Sequence, residues 1–208
     1  MEQRASIAHL CRRAGFGATP SQISSFEAQG YGATVDHLIS GLGAEDPVAG
    51  AVILPTMTAP PSDYRTLRSD AAARKALARA LAAQRRDLYS WWLARMVVTT
   101  SPLQEKLTFL LHGHFPTAVS KVRFPLYMYG QNQLFRTLGP GDFAVLTQAV
   151  ATGPAMLIWL DASSDKAADP NENFARELME RFAMGIGTYT EADVRAAAYC
   201  FTGWQRCV

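Results

Sequence analysis

Two histidines one residue apart, His112 and His114, are the side chains in this 208-residue sequence best suited to chemistry. Imidazole is the commonest metal ligand, and its proton exchange lies nearest neutral pH. At i and i+2 two rings share one side of an extended segment but diverge by about 200° on a helix. Gly113 between them and Pro116 just beyond offer a helix end at which the rings converge. On a continuing helix, His114 instead extends the stripe Leu103, Leu107 and Leu110 and becomes a hydrogen-bonded core histidine. Glu105, Thr108 and His112 share another face, but Glu105 and His112 lie about 10 Å apart along the helix axis. One helix cannot chelate an ion with that pair, so a site here needs a second helix.

The segment Asn171–Met184 can supply it. A helical wheel puts Glu172, Asn173, Arg176, Glu177, Glu180 and Arg181 on one half, and Phe174, Ala175, Leu178, Met179 and Phe182 on the other. Glu177 and Glu180 stand one turn apart, and histidines facing carboxylates across two helices are how bundles build metal sites. The expected catalytic set is therefore His112, His114, Glu177 and Glu180, with His112, His114 and Glu177 as ligands for a divalent metal. At least one histidine should lie within reach of Glu177 or Glu180. The reaction class that fits is a metal- or His/Glu-assisted hydrolase. The competing expectation is a non-catalytic interaction module, in which Glu172–Arg176 and Glu177–Arg181 are ordinary i,i+4 ion pairs on a solvated face.

Other chemistry finds little support. Gly15-Phe16-Gly17 follows no strand and lacks a third glycine, so it reads as a helix cap and turn rather than a phosphate loop. There is no G-x-S-x-G elbow and no H-E-x-x-H. Cys11, Cys200 and Cys207 form no C-x-x-C pair and no disulfide framework.

The elements that must hold these residues are helical. Leu77, Leu81, Leu88, Trp92 and Met96 predict one long helix over Ala71–Val98, with Lys75, Arg79 and Arg86 opposite. A second helix opens at Ser101-Pro102-Leu103-Gln104, with Ser101 as cap. The same start signal stands at Thr19-Pro20-Ser21-Gln22 and Asp169-Pro170-Asn171-Glu172, and more loosely at Thr190–Asp193. Gly15, Gly30, Gly41, Gly139, Gly153, Gly185 and Gly203 follow plausible helix ends. Val48 to Met57 is the one strand-like stretch, and its flanking prolines make it an extended loop. The expectation is an all-α fold, an irregular bundle of about ten helices. It forms a single domain over 1–208: N-terminal helices over 1–40, a Pro/Gly-rich linker over 41–62, and the main bundle over 63–208.

Composition agrees with a globular chain: hydrophobic residues are 49% and charged residues 18%. A net charge of +2 argues against a nucleic-acid partner. Charge is nonetheless uneven: Arg65–Arg95 carries eight Lys/Arg against two Asp/Glu, and Asp161–Asp193 eight Asp/Glu against three Lys/Arg. Those segments should neighbour one another or face solvent. No apolar run approaches the roughly 20 residues of a membrane span, and no signal peptide is visible, so the default location is cytoplasmic.

Several segments resemble the bacterial family known as domain of unknown function 1800. They are His9–Gly17, Pro102–Leu107, His112–Phe115, Gln131-Asn132, Pro154–Leu157, Pro170–Glu180, Gly185–Gly187, Tyr189-Thr190 and Phe201–Trp204. The resemblance spans almost the whole chain and implies a helical protein, with no catalytic residue to carry over. Members of that family continue past the Thr-Gly-Trp segment, which here is followed by four residues. The resemblance therefore implies a chain truncated at its C-terminus, with Phe201 and Trp204 exposed for self-association or a partner protein.

Overall fold

The computed structural model describes residues 2–61, 69–162 and 165–204, and these are all-α, with no strand among them. Three helices start the chain: α1 (Glu2–Arg13), α2 (Pro20–Gln29) and α3 (Tyr31–Ser40). Thr19 and Gln22 close a reciprocal capping box on α2, as their spacing predicts. A one-turn helix, α4 (Pro47–Gly50), occupies the start of the segment expected to be extended throughout, and the rest of that segment is irregular. Asp46 makes the difference. Its carboxylate accepts from the amides of Val48 and Ala49 at 3.1 and 3.0 Å, satisfying the first turn.

The same carboxylate joins distant parts of the chain. It also accepts from the Thr99 and Thr100 hydroxyls and the Thr100 and Ser101 amides. Those residues form the corner between α5 (Ala71–Val98), whose bounds match the sequence expectation, and α6 (Pro102–His114). Burial alone would raise this carboxyl, but hydrogen bonds from Thr99, Ala49 and Thr100 outweigh it and hold the pKa at about 2. Ser101 precedes α6 as expected, yet its side chain makes no capping bond. A Cβ on Gly41 would stand only 2.9 Å from the Ser101 hydroxyl, so glycine is what lets the end of α3 approach this corner.

The face that α6 buries is not the predicted one. Leu110 is 60% exposed, whereas Gln104, Glu105, Thr108 and Leu111 are buried. The reason is electrostatic. Glu105 is 1% exposed and receives both arms of Arg136, Nε at 3.0 Å and Nη2 at 2.9 Å. Arg95 Nε and Trp92 Nε1 donate to it as well, each at 3.2 Å. Both guanidinium groups lie over the Trp91 ring, 5.3 and 5.7 Å from its centroid. A carboxylate so fully paired can occupy the interior, and the turn of helix carrying it faces inward with it.

The remaining helices are α7 (Val119–Val122), α8 (Pro125–Leu138), α9 (Phe143–Ala151), α10 (Pro154–Trp159), α11 (Glu172–Glu177) and α12 (Glu191–Cys200). Phe115, Phe135, Leu146, Val150, Met156, Leu157, Phe174 and Phe182 form the main core. Each such side chain contributes about 1.5–3 kcal/mol of hydrophobic stabilisation when fully buried. The apolar half of the Asn171–Met184 wheel packs as expected, with Phe174, Ala175, Leu178 and Phe182 buried. Two details differ. The cap is Asn171, whose side chain accepts from Phe174 N at 3.0 Å, rather than Asp169. The second half, Leu178–Ala183, widens into a π-helix, where Met184 N bonds Met179 O at 2.7 Å.

Candidate active site

Helix α6 runs unbroken through Gly113 to His114, so the two imidazoles leave it on different sides instead of converging. Gly113 does not end the helix; the cap is Phe115, whose amide bonds Leu111 O at 2.8 Å.

His114 turns toward the π-helical turn. Its Nε2 lies 3.0 Å from the carbonyl oxygen of Phe182, and its ring packs edge-on against Phe115 with centroids 4.7 Å apart. It meets the backbone of the second helix rather than that helix's carboxylates. Glu177 accepts from Arg181 Nε at 2.7 Å, the i,i+4 pair the sequence suggests. Glu180 accepts from the Tyr189 hydroxyl at 3.0 Å. Arg176 passes over Glu172 and forms a two-armed pair with Glu191, at 2.6 Å on each arm. Among the described residues, no group of three or more His, Cys, Asp and Glu side chains is placed to hold a metal ion.

His112 turns toward α5. Its ring stands edge-on to Trp92 at 5.5 Å and to Phe135 at 6.4 Å, and burial lowers its pKa below the usual 6.5. The neutral imidazole is therefore the form the fold favours. The wall behind it is fixed by the buried ion network, because Trp92 donates its indole N–H to Glu105. The open side is a cleft of about 320 Å³, at the small end of ligand-site sizes. Arg85 and Tyr89 of α5, Thr117 before α7 and Ser120 within it line this cleft together with His112. The Thr117 hydroxyl donates to Gln131 Oε1, which leaves its lone pairs toward other donors.

These four partners of His112 carry no motif. Arg85 and Tyr89 are four apart on one helix, a spacing that reads as solvated surface until the α6–α7 corner is brought beside it. The basic residues Arg74, Lys75, Arg79, Arg85 and Arg86 of α5 are exposed, while Arg65 and Arg68 lie outside the described residues. No described helix is long and apolar enough to cross a membrane. Phe201 packs edge-on against Phe174 at 5.0 Å, and Trp204 remains 45% exposed.

No curated protein and no solved structure matches the chain. The sequence model of one family, described as protein of unknown function (DUF1800), matches residues 9–207. That stretch contains every residue lining the cleft and every residue of the ion network behind it, and the chain accordingly belongs to the DUF1800 family.

Proposed function

We propose that the chain is a hydrolase whose site is the His112 cleft, taking a small ester substrate that carries an anionic group. One observation carries this: a neutral, half-buried imidazole opens on a confined cleft that also holds a guanidinium. Arg85 binds the anionic group of the substrate. His112 takes a proton from the attacking water and returns it to the leaving group, the work suited to an imidazole neutral at physiological pH. The Ser120 hydroxyl orients a substrate oxygen by donating to it, while Thr117, whose proton goes to Gln131, offers lone pairs that accept from the attacking water. Glu105 acts at one remove, as a positioning residue that fixes Trp92 against the imidazole. Glu177 and Glu180 are engaged by Arg181 and Tyr189, so the acid–base role falls to His112. A panel of chromogenic carboxyl and phosphate esters tests this. Turnover should follow an ionisation below the usual histidine pKa and fall at least a hundredfold in His112→Gln. Turnover unchanged in His112→Gln, or absent across the panel, overturns the proposal.

A second function is favoured by a separate observation. Leu93, Val97 and Val98 of α5 are exposed, Val97 to 83%, beside a groove of about 990 Å³ that Phe16 and Phe26 also line. In this interaction module the apolar face binds a protein partner, and Trp204 offers a second contact for self-association. Sedimentation measures it. A concentration-dependent dimer that Trp204→Ala or Val97→Asp abolishes supports the module, and a monomer at all concentrations counts against self-association.

A further inference from the structure

A second cavity lies away from His112, between α8 and the junction of α9 with α10. It holds about 480 Å³, well within the range of small-molecule sites. Leu126, Leu134, Val150 and Met156 supply most of its apolar walls, Tyr127 and Tyr129 line it as well, and no charged side chain does. Gln131, its one amide side chain, is engaged elsewhere: Oε1 accepts from Thr117, and Nε2 points to the Phe115 carbonyl at 3.4 Å.

Gly130 lies in this wall, in the middle of α8. Glycine destabilises a helix interior relative to alanine, so a helical glycine wants a reason. Conformation is not the reason, because Gly130 is not among the glycines with positive φ. Packing is not the reason either, because a Cβ added there meets no atom within 4 Å. By contrast, a Cβ on Gly139 at the end of the same helix would strike the Phe135 carbonyl oxygen and Leu111. Gly130 is itself exposed, so the residue stands at the mouth of the cavity it lines, where a longer side chain would have room to cover the opening.

We propose that this cavity is a binding site for a small, uncharged, predominantly apolar molecule, for which Gly130 keeps the entrance open. The chemistry of the lining selects that class. An ion would enter with no opposite charge to pair with, and a peptide would bring more backbone N–H and C=O groups than the two tyrosines of the lining can satisfy. The site is distinct from the His112 cleft and does not depend on its function.

Fluorescence titration with the uncharged probe N-phenyl-1-naphthylamine tests the proposal on the full chain. Wild type should bind saturably at one site. Gly130→Leu should weaken binding at least tenfold while melting at the same or a higher temperature. If Gly130→Leu fails to fold, Gly130→Met places a flexible side chain in the same space and should give the same loss. Val97→Ser, in the separate apolar groove, should bind as wild type. Non-saturable binding to wild type overturns the proposal. So does wild-type affinity in a folded Gly130 variant, or loss of binding in Val97→Ser.

Discussion

Replacing Glu105 with glutamine keeps the shape of the residue and removes the charge that two arginines share. Their side chains are only 11% and 12% exposed, so neither guanidinium can turn to water without moving α5 or α8. Breaking a buried ion pair from one side costs about 3–5 kcal/mol, because the surviving charge is left unpaired. Here two charges survive beside each other, which places the expectation at the upper end. With a urea m-value of about 2 kcal/mol per molar, the unfolding midpoint should fall by roughly 1.5–2.5 M. The amide oxygen can still accept from Trp92, but more weakly than a carboxylate does, so the indole is loosened rather than released. A triple replacement of Glu105, Arg95 and Arg136 by methionine removes all three charges and should recover at least half of the loss, since well-packed apolar groups substitute for buried ion pairs at little cost. Arg95 also donates to the Ala49 carbonyl at 2.7 Å, so full recovery is not expected. A midpoint drop under 0.5 M in Glu105→Gln, at unchanged m, would falsify the account of why α6 turns its polar face inward.

Three further outcomes follow from named contacts. Asp46 has a folded pKa near 2, below its ordinary 3.8, so its stabilisation is complete above that value and is lost as pH falls from 3.8 toward 2; Asp46→Asn should flatten that part of the acid-unfolding curve and cost about 1–2 kcal/mol at pH 7, read by denaturant titration. His112 has a linkage of the same sign in a higher pH window: its folded pKa lies below 6.5, so the unfolded chain binds the extra proton and stability falls as pH drops below 6.5; His112→Phe should remove this dependence, and a ring-proton NMR titration at the ordinary histidine value would contradict it. His114→Phe deprives the Phe182 carbonyl of its partner and should cost about 1 kcal/mol, whereas His114→Gln should retain most of the wild-type stability by calorimetry, and equal loss in both would refute the bond's role.

Helix boundaries were legible wherever a local device sets them. The capping boxes at Thr19 and Thr190 are written in four consecutive residues, and the structure forms both. The long helix Ala71–Val98 follows from its apolar period and the absence of breakers. The π-turn at Leu178–Ala183 was hidden, because the wheel of Phe174, Leu178 and Phe182 is equally compatible with an uninterrupted α-helix. The inward face of α6 escapes a local reading for a more general reason. Hydrophobic periodicity assumes that charge points outward, and Leu103, Leu107 and Leu110 offer a complete stripe on that assumption. What reverses it is Arg95 ten residues earlier and Arg136 thirty-one later, a pairing that no local pattern announces.

The same limit explains the candidate site. His112 was marked by its chemistry alone, and Glu105, Thr108 and His112 do share a face, as their spacing requires. What that face meets is set by other helices. The sequence suggested the carboxylates of α11, since Glu177 and Glu180 are the obvious partners in type. Yet Glu177 pairs with Arg181 and Glu180 accepts from Tyr189, and the group brought to His114 is a main-chain carbonyl of the π-turn, invisible to any search for side chains. His112, some 200° around α6 from His114, is left to α5 and the α6–α7 corner, where Arg85 and Tyr89 wait without a motif of their own. The ion network then has a second consequence. By rotating Glu105 inward it pulls Trp92 against His112, so the burial that keeps the imidazole neutral is set by the same contact that fixes the helix face. A stability measurement on Glu105→Gln and an NMR titration of His112 in that variant therefore examine one physical link. If the carboxylate holds the indole in place, losing its charge should loosen Trp92 and raise the His112 pKa toward 6.5. An unmoved His112 titration in a destabilised variant would separate the two.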